Sequence, residues 1–121
     1  MAEKTALVVD DSEINRNILS LYLELYGYKA VCEDDGLKGF ETFKSIHPQL
    51  TFLDVVMPGI SGIELLKKIK EYDPRAKVIM VTSHISQNTL KQIKDAQADW
   101  VLQKPFDEAK LEEIIQRIES A

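Results

Sequence analysis

The sequence has a single cysteine, Cys32, in 121 residues. No internal disulfide can form, and a cysteine-based metal centre is excluded. A reducing compartment, the cytoplasm, is the simplest expectation. Glycine and proline are scarce, at five and four residues, which argues against collagen-like and low-complexity chains. Long apolar runs are missing too. No segment approaches the ~18–20 apolar residues that cross a bilayer. The start, Met1-Ala2-Glu3-Lys4-Thr5, lacks the apolar stretch of a signal peptide. Basic residues are outnumbered, 15 against 20 acidic ones, for a net charge of −5. Nucleic-acid binders and proteins of anionic membrane surfaces carry the opposite balance, so neither a nucleic acid nor a membrane is an expected partner.

What is present is an ordinary folded composition, 45% hydrophobic and 29% charged. The length suits one domain, residues 1–121, with no room for a separate output domain. A chain of this size can bury about two-thirds of its surface. Short apolar β-prone runs occur at Ala6–Val9, Lys29–Cys32, Leu50–Leu53, Lys77–Val81 and Trp100–Leu102. Most are continuous rather than alternating, as in parallel strands buried on both faces. Helical spacing separates them. Ile14, Ile18, Leu21, Tyr22 and Leu25 form one stripe; Leu37, Phe40 and Phe43 another; then come Ile63, Leu66 and Ile69, and finally Leu111, Ile114, Ile115 and Ile118. Each stripe is expected to lie on the sheet. Ser86–Ala96 is weaker, with Leu90, Ile93 and Ala96 in register. It reads as the least buried helix and the one most ready to move. Ser12 and Asp107 can cap helices, and Gly27, Pro48 and Pro74 fall where helices end.

The pattern is (βα)₅, an α/β chain with a parallel sheet and helices on both faces. Chemistry in such folds gathers at the carboxyl ends of the strands. Those ends carry Asp10-Asp11, Asp54, Thr82-Ser83 and Lys104-Pro105. Three converging carboxylates repel one another, which a hard divalent cation resolves. With Lys104 and a Thr82 hydroxyl, such a site can stabilise a phosphoryl group in transfer, and a carboxylate nucleophile gives an aspartyl phosphate.

Val8-Val9-Asp10-Asp11-Ser12, Leu53-Asp54-Val55-Val56-Met57-Pro58-Gly59-Ile60-Ser61-Gly62, Val81-Thr82-Ser83 and Gln103-Lys104-Pro105-Phe106 resemble, in order and spacing, the motifs of the response-regulator receiver domain of two-component signalling. The resemblance covers essentially the whole chain. It implies a flavodoxin-like sandwich with strand order 2-1-3-4-5, an order that general accounts of the fold already give for a chemotaxis receiver. It implies that Asp54 accepts a phosphoryl group from a histidine of a kinase or phosphotransfer protein. Asp11, Asp54 and the Val56 carbonyl would hold Mg²⁺, or Mn²⁺ in its place, with Asp10 acting through a metal-bound water. Lys104 would pair with a phosphoryl oxygen, and Thr82 would turn inward after phosphorylation. Ser83, Val56, His84, Val101 and Pro105 would line the phosphoryl group or its switch, and the Lys104–Pro105 bond would be cis. The first helix and the loop at Phe106 would face the histidine-bearing partner through Ile14, Asn15, Ile18 and Phe106; Ile14 and Ile18 could equally be sheet-facing core. A downstream protein would read the switched state, with the receiver a monomer or a dimer formed on phosphorylation. Self-phosphorylation and autodephosphorylation would be its whole catalytic repertoire, with no metabolite turned over.

Three positions depart from the family pattern. Val101 stands where an aromatic usually swings inward, and its neighbour Trp100 must face the other way. Gln97 stands where glycine usually follows the fourth helix, so it either adopts a left-handed turn or the helix ends differently. Val56 is apolar where a polar residue often positions an attacking water, which implies slow hydrolysis of the aspartyl phosphate; His84 occupies the matching position after Thr82. The segment Glu13-Ile14-Asn15-Arg16-Asn17-Ile18-Leu19 is similar to receivers joined to hybrid histidine kinases, so two readings stand: a receiver that works alone, or the receiver of such a kinase or a larger regulator. An aspartate-nucleophile phosphatase of the haloacid-dehalogenase type has similar groups, but its nucleophile ends the first strand in an Asp-x-Asp pattern. Here Asp10 and Asp11 are adjacent and Asp54 ends the third strand.

Overall fold

The computed structural model describes residues 3–83 and 85–120. His84 lies outside the described residues. The elements follow in strict alternation: β1 (Thr5–Val9), α1 (Glu13–Leu25), β2 (Lys29–Glu33), α2 (Gly36–Ile46), β3 (Leu50–Asp54), α3 (Gly62–Tyr72), β4 (Val78–Thr82), α4 (Gln87–Asp95), β5 (Trp100–Gln103) and α5 (Glu108–Glu119). The five strands are parallel in the order β2-β1-β3-β4-β5. This is the flavodoxin-like topology expected from the motifs.

The period-2 geometry of the strands divides the core in two. Leu7, Val9, Leu53 and Met80 face a cluster with Phe43, Leu65, Leu66, Ile69 and Ile93 from α2, α3 and α4. Ala6, Val8, Phe52, Ile79 and Val81 face Leu19, Leu23, Leu111, Ile114 and Ile115 from α1 and α5. Every residue of β3 and β4 is buried, whereas the edge strands β2 and β5 are partly open. The continuous apolar runs therefore meant burial on both faces only in the middle of the sheet.

The stripes of α3 and α5 lie on the sheet as expected, whereas those of α1, α2 and α4 need correction. In α1 the sheet-facing residues are Leu19 and Leu23, while Ile14, Leu21 and Leu25 are 70%, 64% and 67% exposed and Ile18 39%. α1 carries apolar residues on two faces, and spacing alone does not say which face meets the sheet. Leu37 of α2 is likewise exposed, and Gly36, Gly39 and Phe43 are buried instead. In α3, Leu65 joins Leu66 and Ile69 in the core, with Ile63 partly buried. α4 buries only Ile93 along its helical span, and Leu90 is exposed. It is the least buried helix, as its sequence suggests.

Side-chain caps start each helix. Ser12 Oγ accepts from the Asn15 N–H at 3.3 Å and Asp107 Oδ1 from the Lys110 N–H at 2.9 Å. Among the described residues, two non-glycine residues take the left-handed conformation. His47 ends α2 at φ 47°, and Gln97 follows α4 at φ 68°. Gln97 thus adopts the turn for which glycine is the unstrained choice.

Candidate functional site

The register brings the ends of β1, β3, β4 and β5 to one edge. Val9 pairs with Leu53, Asp54 with Val81, and Thr82 with Gln103. Asp10, Asp54, Thr82 and Lys104 are therefore neighbours at the point where the chain leaves the sheet on either side of the β1–β3 switch in direction. Asp10, Asp11 and Asp54 each offer a carboxylate oxygen, and these oxygens lie within 4.8 Å of one another.

Asp10 is bonded on all sides. Its N–H donates to Glu33 O at 3.2 Å, and its carbonyl accepts from Arg16 Nη1 at 2.7 Å. Its carboxylate accepts from the Ser12 N–H at 2.9 Å through Oδ1 and from Lys104 Nζ at 2.9 Å through Oδ2. Asp11, one residue on, is exposed. Asp54 is 9% exposed, with its Oδ2 3.6 Å from Lys104 Nζ. Burial pushes the Asp54 carboxyl up to about 6, and the nearby Asp10 and Asp11 charges push the same way. The Lys104 ammonium and the Val56 N–H, which donates to the carboxylate, oppose that rise.

One ammonium cannot neutralise three carboxylates. The all-oxygen donor set and the surplus negative charge fit a hard divalent cation such as Mg²⁺. Both Asp10 oxygens accept hydrogen bonds, from the Ser12 N–H and from Lys104 Nζ, and Asp11 is the exposed member of the three.

The remaining sequence candidates fall into three places. Thr82 is 1% exposed at the end of β4, and its carbonyl accepts from the Lys104 N–H at 2.9 Å. Ser83 and Val56 are exposed, Val56 at 62%. Lys104–Pro105 is cis. Asn15, Ile18, Ser83, Lys104, Pro105 and Phe106 line one pocket of about 250 Å³. That pocket joins the candidate docking residues to the lysine of the acidic site, with Tyr22 edge-on to Phe106 at 6.3 Å. Ile14 is outside the pocket and exposed. Exposure of Ile14 and Ile18 removes the alternative that they are core. Val101 packs toward α4, and Trp100 toward α5, with the Arg117 guanidinium 5.6 Å from its ring. Trp100 therefore faces the opposite helical layer from Val101, as strand geometry requires.

Sequence reading did not single out Arg16 for the site. Its signal was available: a residue in the first turns of α1, six beyond Asp10, can reach back to the β1–α1 turn.

A family model for the response regulator receiver domain matches residues 6–116. The chain belongs to the response-regulator receiver family. The receiver is 36% identical over 118 residues to the chemotaxis protein CheY of Halobacterium salinarum, covering 98% of each chain. It spans only 24% to 49% of the length of several other curated relatives. Among solved structures, a CheY-like receiver domain protein from Methanospirillum hungatei superposes with a TM-score of 0.92 at 28% identity, covering 98% of this chain and 96% of the other. The response regulator TrrA of Thermotoga maritima, solved in complex with Mg²⁺–BeF, superposes with a TM-score of 0.87 at 31% identity, covering 95% and 98%. No helix among the described residues of the receiver is long and apolar enough to cross a membrane.

Proposed function

We propose that this receiver is a phosphoacceptor switch that takes a phosphoryl group from a phosphohistidine onto Asp54 and signals through a protein partner. The observation that carries this reading is the packing of the Asp54 carboxylate against Asp10, Asp11 and Lys104 at the sheet edge.

In the reaction, an Asp54 carboxylate oxygen attacks the phosphorus in line with the histidine nitrogen. The P–N bond breaks as the P–O bond forms, and the departing imidazole nitrogen keeps the electron pair. Asp11, Asp54 and the Val56 carbonyl are the groups that would hold Mg²⁺, with Asp10 acting through its water. When bound, the ion supplies positive charge that offsets the carboxylates and the incoming phosphoryl oxygens. Lys104, already within 3.6 Å of Asp54 Oδ2, stabilises a phosphoryl oxygen. Arg16 and the Ser12 N–H keep Asp10 in place throughout.

Phosphorylation adds about −1.5 to −2 charges and new acceptor oxygens beside Thr82 and Lys104. Thr82 turns its hydroxyl to one of these oxygens, drawing the loop of Ser83 inward. α4, with one buried residue along its length, follows that loop between two packed arrangements. Val101 is too small to act as an aromatic switch, so the response rests on Thr82 and the loops. Val56 offers no donor to an attacking water, so the aspartyl phosphate decays slowly, and Val56→Asn should shorten its life. Input comes from the histidine-bearing helices of a kinase or phosphotransfer protein, docked on Ile14, Asn15, Ile18 and Phe106.

Intact mass measured after incubation with Mg²⁺ and a small phosphodonor tests the reading. One phosphoryl group should be gained and should be lost in Asp54→Ala. No gain from small donors or from histidine kinases would leave a binding module without phosphorylation.

A further inference from the structure

The β3–α3 turn, residues 55–61, is held by an unusual contact at its far end. Gly62, the first residue of α3, is buried, and its N–H donates to Val55 O at 2.9 Å. A Cβ added there would overlap the Asp54 carbonyl oxygen, and it would lie 2.7 Å from the Asp54 carbonyl carbon and 2.9 Å from Val55 Cα. All of these are backbone atoms, so no side-chain rotation relieves the overlap. The same turn sends the Val56 N–H back to the Asp54 carboxylate. Gly62 thus bears on Asp54 through its carbonyl, on Val55 through a hydrogen bond, and through them on the peptide that orients the Asp54 side chain. Elsewhere the crowding differs in kind: a Cβ on Gly39 would meet Val9 methyl groups 2.8 and 3.1 Å away.

We propose that Gly62 is a positioning residue for the phosphoacceptor: its missing Cβ lets the start of α3 abut the Asp54 peptide and so fixes where the Asp54 carboxylate and the Val56 carbonyl stand. The proposal rests on the reading of Asp54 as acceptor. It asks more of Gly62 than helix formation, since a helix start tolerates other residues.

Mg²⁺ affinity is measured by calorimetry alongside thermal stability for the parent, Gly62→Ala, Ser61→Gly and Asp99→Ala. Asp99→Ala lowers stability at the opposite edge of the sheet, where Asp99 bonds Lys70 and the Val78 N–H. Gly62→Ala should weaken Mg²⁺ binding at least tenfold and slow phosphorylation by a small donor by a similar factor. Asp99→Ala should keep the parent affinity within about twofold despite its lower melting temperature. Ser61→Gly removes the side-chain cap on the Glu64 N–H and should weaken Mg²⁺ binding two- to threefold by loosening the start of α3. Parent-like affinity in a folded Gly62→Ala overturns the proposal. If Gly62→Ala does not fold, parent-like affinity in Ser61→Gly overturns it. A parent that binds no Mg²⁺ instead overturns the reading of the site itself.

Discussion

The two edges of the sheet handle charge in opposite ways. At the amino edge, Lys70 Nζ donates to Asp99 Oδ2 at 2.8 Å and to Ala76 O at 2.6 Å, and Asp99 Oδ2 also accepts from the Val78 N–H. One cation meets one anion, and the spare valences go to backbone groups. At the carboxyl edge, one lysine faces three carboxylates, and Asp54 is driven toward its protonated form. Similar residue types serve stability at one edge and, on the proposed reading, reactivity at the other. The difference is whether charge is balanced within the chain or left for a ligand to balance.

Removing one partner from the balanced edge should have the largest effect. Asp99→Ala strands Lys70, whose side chain is 11% exposed, and frees the Val78 N–H. We expect a loss of about 3 kcal/mol in denaturant unfolding. A loss below about 1 kcal/mol would mean that the amino edge is no better matched than a surface pair.

The unbalanced edge should instead respond to ions. At a Mg²⁺ concentration of ~100 times its Kd, the receiver should gain about 2.7 kcal/mol. Asp11→Asn should remove most of that gain, while Asp99→Ala should keep it. Equal gains in all three proteins would assign the effect to ionic strength.

Asp54 gives the comparison a pH dependence. Its folded-state carboxyl titrates near 6 against an ordinary 3.8, so the native state binds more protons between those values. Stability of the metal-free protein therefore falls as pH rises from about 4 to 6, and the loss persists above 6. Asp54→Asn should be more stable than the parent at pH 7 in a chelating buffer by about 1–2 kcal/mol, allowing for solvent screening. The two proteins should converge near pH 4. A parent no less stable than the variant at pH 7 would show that Lys104 fully offsets the burial.

The smallest change concerns a turn near the amino edge. Gln97 sits at φ 68°, and its N–H donates to Lys94 O at 2.9 Å. Gln97→Gly should raise stability by about 0.5–1 kcal/mol without changing Mg²⁺ affinity. A shift in affinity would tie the end of α4 to the acidic site.

The sequence made some of these features plain and hid others. Asp10, Asp54, Thr82 and Lys104 were legible because each follows an apolar run, and a parallel sheet brings such ends together. The α1 face was not legible. Ile14, Ile18, Leu21 and Leu25 keep perfect helical spacing, yet the buried face is Leu19 and Leu23, because α1 is apolar on two sides. The Lys70–Asp99 pair, 29 residues apart in sequence, had no local signature. The crowding at Gly62 had no local signature either, since it is a backbone contact made only in the folded chain.

Trp100 turns its ring toward α5 and beneath Arg117, and it is the only tryptophan in the sequence. That orientation decides what light can report. Its emission should follow the detachment of α5 and hence global unfolding, giving the stability experiments a built-in optical probe. It should be nearly silent to ion binding at the carboxyl ends of β1 and β3. A bright change on adding Mg²⁺ would mean that the two helical layers move as one.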